Sequence, residues 1–258
     1  MDIISPAIIA ESVRSDRGKV GTPLSGSAEQ SAIHARQIHD NSDRMWTAYF
    51  SSGAGCRSFN STVHLSRVLY HGRLFARRVM DLGGSAQSYL EIGVGTGETL
   101  RRLRAATGAA CVGIDKTAYA CGLAHANATG CRIAAADGLS LPFPDGSFDV
   151  VYSLGLLEHF GLVEQRRLLR EHARVARKSV ILHLPADVPQ MRMVMWFNRT
   201  VWNRSGVWAD EELFTPSRFR RKFPGLPFRS RFDWAAGAMT YWFALNPGDV
   251  LCHVDLRR

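Results

Sequence analysis

The stretch Tyr89-Leu90-Glu91-Ile92-Gly93-Val94-Gly95-Thr96-Gly97-Glu98-Thr99-Leu100 constrains this chain more than any other. A short apolar run reaches an acid, three glycines then alternate with other residues, and a helical pattern follows. The pattern predicts a strand, a tight turn and a helix. Glycine suits backbone that turns with positive φ or lies against a ligand, where a Cβ would collide. Thr96 is placed to cap the helix, and Glu98 to complement its first turn. Free N–H groups at such a turn suit an anionic ligand group.

Around this stretch, strands are expected at about 87–92, 111–115, 131–135, 148–153 and 179–184, and helices at about 97–106, 117–127 and 163–177. Such alternation implies right-handed crossovers and a largely parallel sheet. Residues 1–26 show no sustained period and read as a loosely docked arm. Helices are expected from Ser27 to about Phe50, with Trp46, Tyr49 and Phe50 on one face, and from Thr62 to Leu82, ended by Gly83-Gly84. Residues 186–224 break the rhythm and hold Trp196, Phe197, Trp202 and Trp208. There Thr215-Pro216 opens a short helix ending near Phe223. Two last strands are expected at about 228–234 and 238–245. The division is an N-terminal arm and helical cap over 1–84, then an α/β core over 85–258 with an insertion at about 186–224.

A chain of 258 residues with 46% hydrophobic content suffices for one such domain, and no apolar run is long enough to span a membrane. The start Met1-Asp2-Ile3-Ile4 places an acid where a secretory signal needs basic residues, so a cytoplasmic protein is expected. Cys56, Cys111, Cys121, Cys131 and Cys252 form no C-x-x-C pair and read as reduced core thiols. The net charge of +9 raises the question of nucleic acid. The only lysines are Lys19, Lys116, Lys178 and Lys222, however, and a bias to arginine can reflect genome composition. The basic run from Arg166 to Arg174, which includes His172, reads as a helix with an apolar stripe and a solvated outer face.

A dinucleotide site would show G-x-G-x-x-G. Here the order is Gly93-x-Gly95-x-Gly97, with Glu91 two residues before. That resembles motif I of the class I S-adenosylmethionine (SAM) dependent methyltransferases. Asp115 ends the second strand, 24 positions after Glu91, where an acid can accept from two ribose hydroxyls; an ordinary loop acid is the alternative. Asp137-Gly138 follows the third strand, and the run DGLSLPFPDGSFDVVYSLGLLEHF resembles the motif block of small-molecule members, including those of ubiquinone and menaquinone biosynthesis. The resemblance covers about Tyr89 to Leu184 and implies a Rossmann-like, seven-stranded, doubly wound α/β fold.

By that resemblance, Glu91, Gly93, Gly95 and Gly97 form the methionine end of a SAM pocket. Asp115 takes the ribose, with Lys116 beside it. Asp137 and Gly138 take the adenine edge, and Leu139 packs on the ring. Ser153 meets the cofactor through its main chain, Asp149 is structural, and Trp46 and Tyr49 cover the site. Glu158-His159 lies where the family places its acceptor. His159, near its intrinsic pKa, would be the catalytic base, with a packing role as the alternative. Some relatives read E-x-x-E-H here and bind a divalent metal; Gly155 replaces the first acid, so no metal is expected and Glu158 and His159 are at most partial ligands. His183 reads as a buried histidine.

The implied reaction is methyl transfer from SAM to a small-molecule oxygen, nitrogen or carboxylate, leaving S-adenosylhomocysteine (SAH). A homodimer is an open partner. The rivals are an RNA or DNA methyltransferase and a SAM-binding scaffold or non-methylating catalyst. Against nucleic acid, Ser153-Leu154-Gly155-Leu156 replaces the N-P-P-Y-like residues of adenine amino modification, and no Pro-Cys nucleophile stands there.

Overall fold

Strands buried on both faces need mostly apolar residues, and the inner strands of this chain supply them, with Glu91, Asp149, Ser153, Ser179 and His183 as buried polar exceptions. The computed structural model describes residues 44–48, 50–51, 73–200, 211–234 and 249–256. In chain order its elements are α1 (Ala76–Gly83), β1 (Ser88–Ile92), α2 (Glu98–Thr107), β2 (Ala110–Asp115), α3 (Ala118–Asn127), β3 (Arg132–Ala135) and β4 (Phe148–Leu154). A 3-10 turn (Leu157–His159), α4 (Leu162–Val175), β5 (Ala176–Pro185), α5 (Pro189–Thr200), α6 (Pro216–Lys222), β6 (Arg229–Asp233) and β7 (Asp249–Asp255) follow. The seven strands are ordered β3-β2-β1-β4-β5-β7-β6. The first five are parallel, and β7 is antiparallel to both β5 and β6.

Side-chain alternation along β1 divides the core. Leu90 and Ile92 pack with Leu168, Leu169 and Ala173 of α4, whereas Tyr89 packs with Phe75, Val79, Leu100 and Leu103 on the other face. Ile92 pairs with Ile114 of β2 and Ser153 of β4. The carboxyl ends of three strands therefore meet where the chain reverses its direction across the sheet, the usual ligand crevice of an open α/β fold.

Several expectations are corrected. Thr96 does not cap α2; Gly97 is the N-cap, in a left-handed conformation with no side-chain cap bond, and the Thr96 carbonyl accepts from the Asn127 amide. Glu98 does stand in the first turn, bound to Arg101 and Arg102. His172 is not on the solvated face of α4: it is fully buried, with Nδ1 2.8 Å from the Leu168 carbonyl. The partner of β6 is Asp249–Asp255, while the expected strand at 238–245 lies outside the described residues. Thr215 caps α6, accepting from Arg218 N–H at 3.0 Å, with Pro216 at the first position. The described thiols Cys111, Cys121, Cys131 and Cys252 are free, and Cys56 lies outside the described residues. No described helix is long and apolar enough to cross a membrane.

Asp149 acts as a clamp at the start of the inner strands. It is buried and accepts from Gln87 N–H (2.7 Å), Arg177 Nε (2.9 Å) and Lys178 Nζ (3.1 Å). Asp149→Ala leaves a backbone donor and two cations without their acceptor. Arg177 and Lys178 can turn to water, so the expected loss is about 2–3 kcal/mol rather than that of a fully buried pair. Urea unfolding of the two proteins measures it; a change under about 0.5 kcal/mol would remove the clamp.

Candidate active site

The turn after β1 is built from three left-handed residues: Gly93, Gly95 and Gly97 have φ of 77°, 51° and 74°. Its main chain hangs on β2, since Gly93 and Val94 N–H both donate to the Ile114 carbonyl at 2.9 Å. A Cβ at Gly97 would stand 3.1 Å from Ala124 Cα, so this glycine also lets α2 approach α3. The expected free N–H groups are not offered by these residues: Gly93, Val94, Gly95 and Gly97 all donate within the turn or to β2 and Asp115, so the turn is a braced main-chain cradle rather than an open anion hole.

Glu91 lies beneath the turn, 3% exposed, and accepts from the Tyr152 hydroxyl at 3.0 Å. Burial pushes its carboxyl up to about 8, against partial relief from the bonds of Tyr152 and the Leu100 backbone. Its folded pKa is raised, so its contribution to stability is full below about 4.5 and lost as pH rises through about 8. Glu211, pushed up to about 7 by burial, acts in the same sense. His172 and His183, held down to about 4 and about 3 by burial, act oppositely, but only below their unfolded value near 6.5. Stability should therefore fall between about pH 6.5 and 8.5, with Glu91 alone contributing about 2 kcal/mol. Melting curves of the wild type and Glu91→Gln check this; a wild-type curve flat over that window would contradict it.

Asp115 is committed to the turn. One carboxylate oxygen accepts from Gly95 N–H (3.1 Å), the other from the N–H and hydroxyl of Thr117 (both 3.0 Å). Lys116 follows it at the start of the β2–α3 connection, half-buried. Asp137 accepts from Leu139 N–H at 2.9 Å and so shapes the loop after β3. Gly138 is needed for close approach, since a Cβ there would stand 2.9 Å from Ile92 Cγ2. Leu139 is buried, and Ser153 is buried beside Ile92. Glycine turn, Asp115, Asp137, Gly138 and Ser153 thus converge on one crevice, as their order along the chain suggests.

The helical residues 44–48, 50 and 51 lie over this crevice. Phe50 Cζ is 3.5 Å from where a Gly95 Cβ would stand, and the Trp46 ring meets the His159 ring edge-on at 5.0 Å. Tyr49, expected to share the cover, lies outside the described residues, as do Trp202 and Trp208. Trp196 is exposed on α5.

His159 departs from expectation. Burial holds its ring down to about 4, despite a bond to the Gly155 backbone that favours the charged form. It is neutral but a weak base, poorly matched to a proton held near neutral pH. Its Nε2 is 3.8 Å from Glu211 Oε1. Glu212 N–H donates to the Glu158 carbonyl at 3.2 Å, which ties this segment to the 3-10 turn. His183 is buried, as expected, with Nε2 3.5 Å from Asp249. Glu211 and Asp249 escaped the sequence reading because they reach the site from segments with no motif of their own. Among the described residues no group of three or more His, Cys, Asp or Glu is arranged to hold a metal ion.

A family described as a methyltransferase domain matches residues 90–184. Ajmaline N-methyltransferase of Rauvolfia serpentina is 29% identical over 159 residues, covering 58% of this chain and 54% of that protein. A Mus musculus protein named "Probable tRNA methyltransferase 9B" is 45% identical over 47 residues, 18% of this chain and 10% of its own. Magnesium protoporphyrin IX methyltransferase from Synechocystis PCC 6803, solved with bound SAH, superposes with a TM-score of 0.61 at 14% identity, covering 81% of this chain and 96% of that one. At that identity the likeness is one of fold. The chain spans about half the length of the first curated relatives it matches.

Proposed function

Residues 90–184 are a methyltransferase domain of the class I, SAM-dependent kind, and on that premise we propose that the chain binds SAM and transfers its methyl group to a small-molecule acceptor. The observation that carries the reading is the turn of three left-handed glycines hung on β2 beside Asp115. The main chain of Gly93, Gly95 and Gly97 holds the methionine end. Asp115 and Lys116 hold the ribose side, and Asp137, Gly138 and Leu139 hold the adenine. Ser153 closes the floor. Glu91 acts from below, keeping the turn in shape through Tyr152 rather than reaching the ligand.

SAM supplies a methyl group on a positively charged sulfur, already activated for displacement. The chain's task is alignment and exclusion of water. Trp46 and Phe50 cover the crevice for that purpose. His159, neutral and packed on Trp46, positions the acceptor rather than acting as a free base.

One observation favours a second reading, methylation of RNA: the short match to a protein named for tRNA. Incubating the full chain with methyl-labelled SAM and a cell extract separates the two. Label in the low-molecular-weight fraction is expected; label confined to acid-precipitable RNA would replace the small-molecule reading.

A further inference from the structure

We infer that the acceptor is an organic amine, whose nitrogen is received by a buried acidic pocket made of Glu158, Glu211 and Asp249 beside His159. This deepens the proposed methyl transfer and rests on it. Glu158 is 4% exposed, and its Oε2 finds no hydrogen-bond partner among the described residues. Buried carboxylate oxygens are rarely left so, because the lost hydration is not replaced. Glu211, with its side chain 7% exposed, has its Oε1 3.8 Å from His159 Nε2. The neighbouring Glu212 is different: Gln165, Arg218 and Lys222 all occupy it. So, among the described residues, two cations pair with Glu212 and none with its neighbour Glu211.

The three acids repel one another across a low-dielectric space. Burial, then the charge of Glu211, pushes Glu158 well above the carboxylate range, and burial, then the charges of Asp233 and Glu211, does the same to Asp249. His159 and His183, both neutral, bring no compensating charge. The missing component is a cation that carries N–H donors. Its surroundings are aromatic: Trp46 packs edge-on to His159, and Phe75 packs edge-on to His183, each at 5.0 Å. Acids with aromatic walls suit an organic ammonium, which gains hydrogen bonds and ring contacts together. The pocket is also in the right part of the crevice. Leu156, just before the 3-10 turn, has Cδ1 3.2 Å from where a Gly93 Cβ would stand.

The chemistry balances. An ammonium acceptor first passes one proton to a carboxylate of the pocket. The freed nitrogen lone pair then forms a bond to the methyl carbon. The carbon–sulfur bond breaks, and its electron pair stays on sulfur as the SAH thioether. Positive charge moves from sulfur to nitrogen, toward the acids that stabilise it.

The test uses the full chain, trideuteromethyl SAM and a clarified metabolite extract, with products resolved by mass and by reversed-phase chromatography at acidic and alkaline pH. A labelled product that elutes later at alkaline pH, as an amine does, is expected. Glu158→Gln and Glu211→Gln should each lower its formation at least about tenfold while SAH affinity, titrated on the same preparations, stays within about twofold. Label in a product with neither a basic nor a quaternary nitrogen, label in none, or full activity in both variants would overturn the amine assignment while SAH still binds. Failure of the wild type to bind SAH would instead overturn the methyl-transfer reading beneath it.

Discussion

Replacing Gly97 with alanine should cost the fold about 2–4 kcal/mol, while the same change at Gly108 should cost about 1. Both residues are left-handed, with φ of 74° and 68°, so the backbone strain of an added Cβ is shared. They differ in what the Cβ meets. At Gly108 nothing lies within 4 Å. At Gly97 it meets Ala124 Cα and Ala128 Cβ at 3.1 Å, and a backbone cannot rotate aside as a long side chain can. Helix α2 must then move from α3, and the turn that precedes it moves too. SAH affinity should fall by about 2 kcal/mol or more, roughly 30-fold, in Gly97→Ala and hardly at all in Gly108→Ala. Unfolding curves and SAH titrations of the two variants check this. Equal stabilities, or unchanged affinity in Gly97→Ala, would mean that the turn tolerates displacement and is not the ligand cradle.

Asp115→Ala should weaken SAM binding by about 2–4 kcal/mol, the value of ribose hydrogen bonds to a charged acceptor. A strand-end acid would leave stability unchanged on removal. Asp115 would not, because it holds Gly95 and Thr117 by three bonds. A second, smaller loss of about 1–2 kcal/mol in stability is therefore expected. The larger loss should appear in affinity, measured by titration, and the smaller in the melting temperature. Affinity within about twofold of wild type would remove the ribose role and leave Asp115 as a brace of the turn.

Much of the fold was legible because its signals are local. Glycine alternation, strands ended by acids and the Thr215-Pro216 cap are set by nearby residues, and each stands where the pattern puts it. The misreadings share a cause: tertiary packing overrode local preference. Thr96 has the chemistry of a cap, but the turn must bring α2 against α3, and that close approach needs Gly97 at the cap position. His172 looks solvated among arginines, yet the helix turns it into the core. His159 lies beside the crevice, but its lowered pKa comes from burial, with the Trp46 ring packed on it from a segment about 110 residues away, which no spacing within the 150s encodes. For the same reason the acidic pocket was only partly legible. Glu158 lies in the motif block, whereas Glu211 and Asp249 join it from segments about 50 and 90 residues away, Glu211 through the Glu212 N–H bond to the Glu158 carbonyl and Asp249 through the antiparallel pairing of β7 with β5.

The central claim is that the glycine turn, Asp115 and Asp137 form a site for an adenosyl amino acid rather than a dinucleotide. Calorimetric titration of the full chain with SAH and with NAD tests it most directly. The account predicts saturable SAH binding with a Kd of about 1 µM, near −8 kcal/mol, and no measurable heat from NAD. NAD binding tighter than SAH, or no SAH binding by a folded protein, would contradict it.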